Sequence, residues 1–109
     1  ETSLREARTA TPGSRFSVIV EDGDVLGYAV TGRAGSRGYL QRLAVDPGRA
    51  GEGIGTDLIL DSFGWSHDRG VQRMMVNTQE RNQRALALYQ HLGFEPEPEG
   101  LVVLERRRP

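Results

Sequence analysis

The stretch Leu43-Ala44-Val45-Asp46-Pro47-Gly48-Arg49-Ala50-Gly51-Glu52-Gly53-Ile54-Gly55-Thr56 decides the fold. Its first residues end a strand that begins at Tyr39 and stops at Asp46-Pro47. Its middle, Gly48 to Gly55, holds four of the chain's 14 glycines. Its end opens a helix, because Ile54, Leu58, Ile59, Ser62 and Phe63 recur at helical spacing until Gly70. A strand feeding a helix through glycine-rich backbone makes an anion site, since the first helical N–H groups have no internal partner and glycine lets a ligand approach them closely. The natural occupant is a phosphate. Three glycines at a helix entrance weaken the helix unless such an approach is needed.

Upstream of this stretch, Phe16 to Val20 and Val25 to Thr31 are strand-like and joined through Glu21-Asp22-Gly23-Asp24, an Asp-Gly turn that closes an antiparallel hairpin. Gly32 to Gly38 is a second turn, and Tyr39 to Val45 is a third strand with only partial alternation. Residues 1–15 read as the tail of a helix, with Leu4, Ala7 and Arg8 in periodic register before the breaker Thr11-Pro12-Gly13-Ser14. Downstream, Val71 to Val76 is a short apolar strand. Asn82 is an N-cap for a helix with Ala85, Leu86, Tyr89 and Leu92 on one face, stopped by Gly93. Leu101 to Glu105 is a last strand. Hairpins followed by strand–helix–strand–helix–strand predict one α/β domain over 1–109, a mixed, mostly antiparallel central sheet with helices on both faces. Within it, residues 1–15 are a helix remnant and loop, 16–95 a ligand-binding core, and 96–109 an acidic loop with the last strand.

Composition narrows the chemistry. All 14 basic side chains are arginine, and there is no cysteine. Without lysine or cysteine there is no Schiff base, thiolate nucleophile, disulfide or cysteine-held metal. His67 and His91 have no partner cluster at ligand spacing, so no metal is expected. A net charge of −1 argues against nucleic-acid binding driven by counterion release. No apolar run approaches membrane-span length, and a cytoplasmic protein is the default. A nucleotide phosphate loop needs a lysine after its last glycine, which this chain lacks. A dinucleotide fingerprint fits poorly, because Gly51-x-Gly53-x-Gly55 follows hairpin strands.

With a second block, Asn82-Gln83-Arg84-Ala85-Leu86-Ala87-Leu88-Tyr89-Gln90-His91-Leu92-Gly93-Phe94, the glycine loop resembles the two signatures of the GNAT superfamily of acyl-CoA-dependent N-acetyltransferases, in their usual order and separation. The resemblance runs from Phe16 to the C-terminus, and on this reading the chain is expected to lack the family's usual N-terminal strand and helices. It implies a splayed parallel strand pair that admits acetyl-CoA as acyl donor. Leu43, Ala44 and Val45 would bond the pantetheine arm, Gly51, Glu52, Gly53, Ile54, Gly55 and Thr56 the pyrophosphate, and Asn82 the pantetheine near the splay. Tyr89, by spacing alone a packed aromatic, would be the general acid that protonates the departing thiolate, and the Val45 N–H would hold the carbonyl oxygen.

The chain departs from the family pattern in two respects. Ala50 stands where Gln or Arg is usual, with Arg49 beside it. Gln41 and Asn77 stand in stretches where relatives carry a glutamate base, leaving solvent, Glu80 or a residue outside the chain for that role. Glu95, Glu97 and Glu99 would draw a cationic acceptor, a primary amine on a small molecule or protein. The resemblance therefore implies N-acetyl transfer by direct attack in a ternary complex, without nucleic-acid or membrane partners. A homodimer would form by pairing across an exposed first strand. The alternative reading is a non-catalytic or regulatory CoA-binding module, or one half of a two-part acyltransferase.

Overall fold

The computed structural model describes residues 2–7, 13–77, 83–96 and 103–107. Along these the chain forms strands β1 (Thr2–Glu6), β2 (Ser14–Glu21), β3 (Asp24–Ala34) and β4 (Arg37–Val45), then a 3-10 turn (Pro47–Arg49) and helix α1 (Ile54–Asp68). Strand β5 (Arg73–Asn77), helix α2 (Gln83–His91) and strands β6 (Glu95–Pro96) and β7 (Val103–Arg107) follow. The strands make one sheet in the order β1-β2-β3-β4-β5-β7-β6. All neighbours are antiparallel except β4 and β5, which run parallel and need the α1 crossover between them. No helix among the described residues is long and apolar enough to cross a membrane.

Two expectations change. Residues 2–6 are a strand and not a helix tail: Leu4 lies opposite Ile19 and packs on the core, and the Ala7 amide still donates to the Phe16 carbonyl at 2.9 Å. A single apolar anchor fits either period, and the open edge of β2 decides between them by offering a ladder. The breaker residues Thr11 and Pro12 lie outside the described residues. The second change concerns the faces of the sheet. Both described helices share one core, where Phe94 packs on Phe63 of α1 and on Tyr89 of α2 at 5.7 Å between ring centroids. The crossovers β4–α1–β5 and β5–α2–β6 advance in the same direction across the sheet, so one handedness puts both helices on one side. The opposite face carries Phe16, Val18, Tyr28 and Val30, all half-buried, with the Phe16 and Tyr28 rings in contact.

The partial alternation of β4 has a specific cause. Val30 pairs with Arg42 and Thr31 with Leu40, which leaves Gln41 as an extra residue in a β-bulge. Without it, Leu40 and Arg42 would share the core face. With it, Arg42 is exposed while Leu43 and Val45 pack beside Leu40 on the core. Pairing of β4 with β5 covers only Arg37 to Leu40 and ends where the bulge begins. From Arg42 to Val45, β4 keeps its β3 partner, and from Gln41 onward no other strand among the described residues pairs with its far edge.

Helix α1 is fastened over β2 and β3 by apolar and polar contacts. Leu58 and Ile59 are fully buried, and so are Thr31 and Ser62, whose hydroxyl oxygens lie 2.7 Å apart. Arg15 of β2 donates a two-pronged pair of hydrogen bonds to Asp61, Nε to Oδ2 at 2.9 Å and Nη2 to Oδ1 at 3.0 Å. The helix comes close to β3 at Gly27, where an added Cβ would sit 2.8 Å from the Ala44 carbonyl oxygen and 3.0 Å from Ile54 Cγ2. Gly64 is the opposite case, an exposed residue in mid-helix with open space where a Cβ would go. Chemical denaturation should therefore show opposite signs for one substitution. Gly27→Ala lowers stability by about 1–3 kcal/mol, and Gly64→Ala raises it by about 0.5–1 kcal/mol.

Candidate active site

The end of β4 turns through Asp46, whose carboxylate accepts from the Gly48 amide at 2.9 Å and whose carbonyl accepts from the Arg49 amide at 2.9 Å. The Ala50 and Glu52 amides donate back to Pro47 and Arg49, each at 3.4 Å. Gly51 and Gly53 then take φ of 86° and 84°, the left-handed region, with open space where a side chain would project. The first helical bond of α1 runs from the Asp57 amide to the Gly53 carbonyl at 2.9 Å. The amides of Gly51, Gly53, Ile54, Gly55 and Thr56 have no acceptor among the described residues. They gather at the end of a 15-residue helix where its dipole is positive.

A cavity of about 760 Å³ opens in front of these amides. One wall is Val45 and the loop through Thr56, and the other is Arg84 and Leu88 of α2. Gly55 lets the walls meet, because a Cβ there would lie 3.0 Å from Leu88 Cδ2. Of the residues singled out in the sequence, Val45, Gly51, Gly53, Ile54, Gly55 and Thr56 line the cavity. Leu43 and Ala44 do not; they belong to the freed stretch of β4 that leads into it. Glu52 turns away to bind Arg49, and Asn82 lies outside the described residues. Arg49 and Ala50, noted in the sequence as loop positions, also line the cavity, and sequence reading missed Asp46, Pro47, Arg84 and Leu88. The last two carried a signal: they are four apart on α2, one stripe round from the core-facing Ala85 and Tyr89.

Arg49 beside the loop is already engaged. Its Nε donates to both Glu52 carboxylate oxygens, at 2.9 and 2.8 Å, and its Nη1 to Glu21 at 2.6 Å. These bonds raise the Arg49 pKa, and the bond from Arg49 holds the Glu21 carboxyl below its ordinary value. Tyr89 is buried, edge-on to Phe94, and does not line the cavity, although it follows Leu88, which does. Burial pushes its phenol pKa up.

A sequence model of the acetyltransferase (GNAT) family matches residues 1–94. A mycothiol acetyltransferase of Beutenbergia cavernae is 34% identical over 99 residues, covering 85% of this chain and 32% of that protein. An uncharacterised N-acetyltransferase of Escherichia coli is 31% identical over 88 residues, covering 77% of this chain and 53% of its own. The chain thus spans between about a third and a half of these curated relatives. The crystal structure of the PaiA N-acetyltransferase from Thermoplasma acidophilum, in complex with coenzyme A, superposes with a TM-score of 0.82 at 18% identity, over 88% of this chain and 62% of that one.

The buried phenol gives a direct check. One tyrosine should ionise above the ordinary value of about 10 in an ultraviolet titration, and Tyr89→Phe should remove that component. The folded-state pKa is the raised one, so the stabilisation from the neutral phenol is complete below pH ~10 and is lost as pH rises through the folded value.

Proposed function

This chain belongs to the acetyltransferase (GNAT) family, and from that membership we propose that it transfers an acetyl group from acetyl-CoA to a primary amine by direct attack. The observation that carries the reading is the run from a strand edge at Gln41–Val45 into amides at Gly51 and Gly53–Thr56, both without partners among the described residues. The two parts suit the two halves of an extended thioester cofactor. A pantetheine arm carries amides that need a strand-like partner, and a diphosphate suits the positive end of α1. The open space beside Gly51 and Gly53 is what close approach of a phosphate to backbone requires.

Acyl-CoA supplies an activated thioester. The residues of this chain hold and orient it. Leu43, Ala44 and Val45 present backbone groups along the splay, and Gly51, Gly53, Ile54, Gly55 and Thr56 present amides to the diphosphate. Asn82, just before α2, adds a side-chain bond on the pantetheine side. The Val45 N–H holds the carbonyl oxygen as the amine nitrogen forms its bond to the carbonyl carbon. Tyr89 donates its phenolic proton to the sulfur as the C–S bond breaks, and the proton shed by the amine nitrogen returns through solvent to restore the phenol, whose burial raises its pKa further above neutral. With no cysteine in the chain, an acyl-thiol enzyme route is closed. Acyl-CoA thioesters are made and used inside cells, so the reading carries a cytoplasmic location with it.

The position of Tyr89 behind Leu88, outside the cavity lining, favours a second reading in which the chain binds CoA without turning it over. Kinetics and calorimetry over an amine panel separate the two. If the first holds, Tyr89→Phe lowers kcat by about 100-fold or more with acetyl-CoA affinity changed less than about twofold; binding without thioester cleavage selects the second. The loop assignment is tested by Gly53. Gly53→Ala and Gly53→Glu share a backbone strain of about 1–2 kcal/mol, but only the glutamate adds charge, so only Gly53→Glu should abolish acetyl-CoA binding.

A further inference from the structure

The cavity has two cations in its lining, Arg49 and Arg84, and they are in opposite states. Arg49 is held by two carboxylates, Glu52 and Glu21, so this corner of the loop is net negative. Asp46 adds a third carboxylate to the same wall. Ala50, in the middle of the loop, has no polar side chain. A diphosphate approaching the free amides therefore meets partial positive charge from the backbone and little from the loop's side chains.

Arg84 faces the loop from α2. It is exposed and has no ion pair or side-chain hydrogen bond among the described residues. It also stands second in α2, where the helix dipole disfavours a cation, and no acidic residue occupies that first turn to offset it. Its stripe on the helix, shared with Leu88, is aimed at the cavity and not at the core. A guanidinium in that setting gains more from a bound anion than from any protein neighbour described.

We propose that Arg84, and not Arg49, is the side-chain cation that binds the diphosphate of acyl-CoA, closing against the loop amides from the α2 side. This rests on the acyl-CoA reading above and assigns the loop's missing cation to the second helix. The planar guanidinium bonds two phosphate oxygens at once, while the backbone of Gly51 to Thr56 holds the others. Arg49 serves the loop itself, tying Glu52 to the end of β2.

Titration calorimetry with coenzyme A, dephospho-coenzyme A and pantetheine tests this on wild type, Arg84→Ala and Arg84→Gln, with melting curves confirming that the exposed substitutions fold. Coenzyme A and dephospho-coenzyme A share the diphosphate, dephospho-coenzyme A lacks only the ribose 3′-phosphate, and pantetheine lacks both. Both variants should lose about tenfold or more in affinity for the first two ligands and stay at wild type for pantetheine, with a shallower salt dependence. Loss for coenzyme A alone would move Arg84 to the 3′-phosphate and overturn the proposal, as would unchanged affinity for all three. If the wild type binds none of them, the acyl-CoA reading fails first and takes this assignment with it.

Discussion

One extra residue in β4 organises the molecule. The bulge at Gln41 bends the strand, and three consequences follow from that single slip. Leu43 and Val45 turn inward beside Leu40 and join the core under α1, while Arg42 turns out. Pairing with β5 stops at Leu40, so the last residues of β4 leave the parallel ladder with one edge unspent. The strand then delivers its end to the glycine loop at the entrance of α1. A regular strand in the same place would have turned Leu43 and Val45 away from the core and put Arg42 into it.

The site depends on what the backbone leaves unmade. Buried or enclosed peptide groups normally find partners, yet here a strand edge and a set of amides, both without partners among the described residues, lie end to end. Glycine sustains the arrangement at Gly51 and Gly53, where φ is positive and the space beside the backbone is empty. Gly27 acts at a distance from the loop by letting α1 sit close to β3, which sets where the helix entrance points. The side-chain charges divide the labour differently from the backbone: Arg49 locks the loop to Glu52 and Glu21, and Arg84 across the cavity is left to face a ligand.

Much of this was legible in the chain. The glycine run marked the loop and the helix entrance, and the α1 and α2 spans follow their apolar periods closely. The irregular spacing Leu40, Leu43, Val45 was the visible trace of the bulge, although only the β3 register identifies Gln41 as the extra residue. Three things were not legible, each for a physical reason. Thr2–Glu6 carries one strong apolar residue, Leu4, and its strand state comes from the edge of β2 and not from its own period. The face on which a helix packs depends on crossover handedness and strand order, which neither helix encodes alone. The commitment of Arg49 to Glu21, 28 positions away, is a tertiary contact that no local spacing announces.

The central claim is that the unpaired edge of β4 and the α1 entrance form one continuous acyl-CoA surface. Amide hydrogen–deuterium exchange, with and without acetyl-CoA, tests it most directly. Bound ligand should slow exchange together in Gln41–Val45 and Gly51–Thr56, with β2 and the body of α1 unchanged beyond the general stabilisation of the fold. Protection confined to one of the two segments, or absent from both at saturating ligand, would contradict the account.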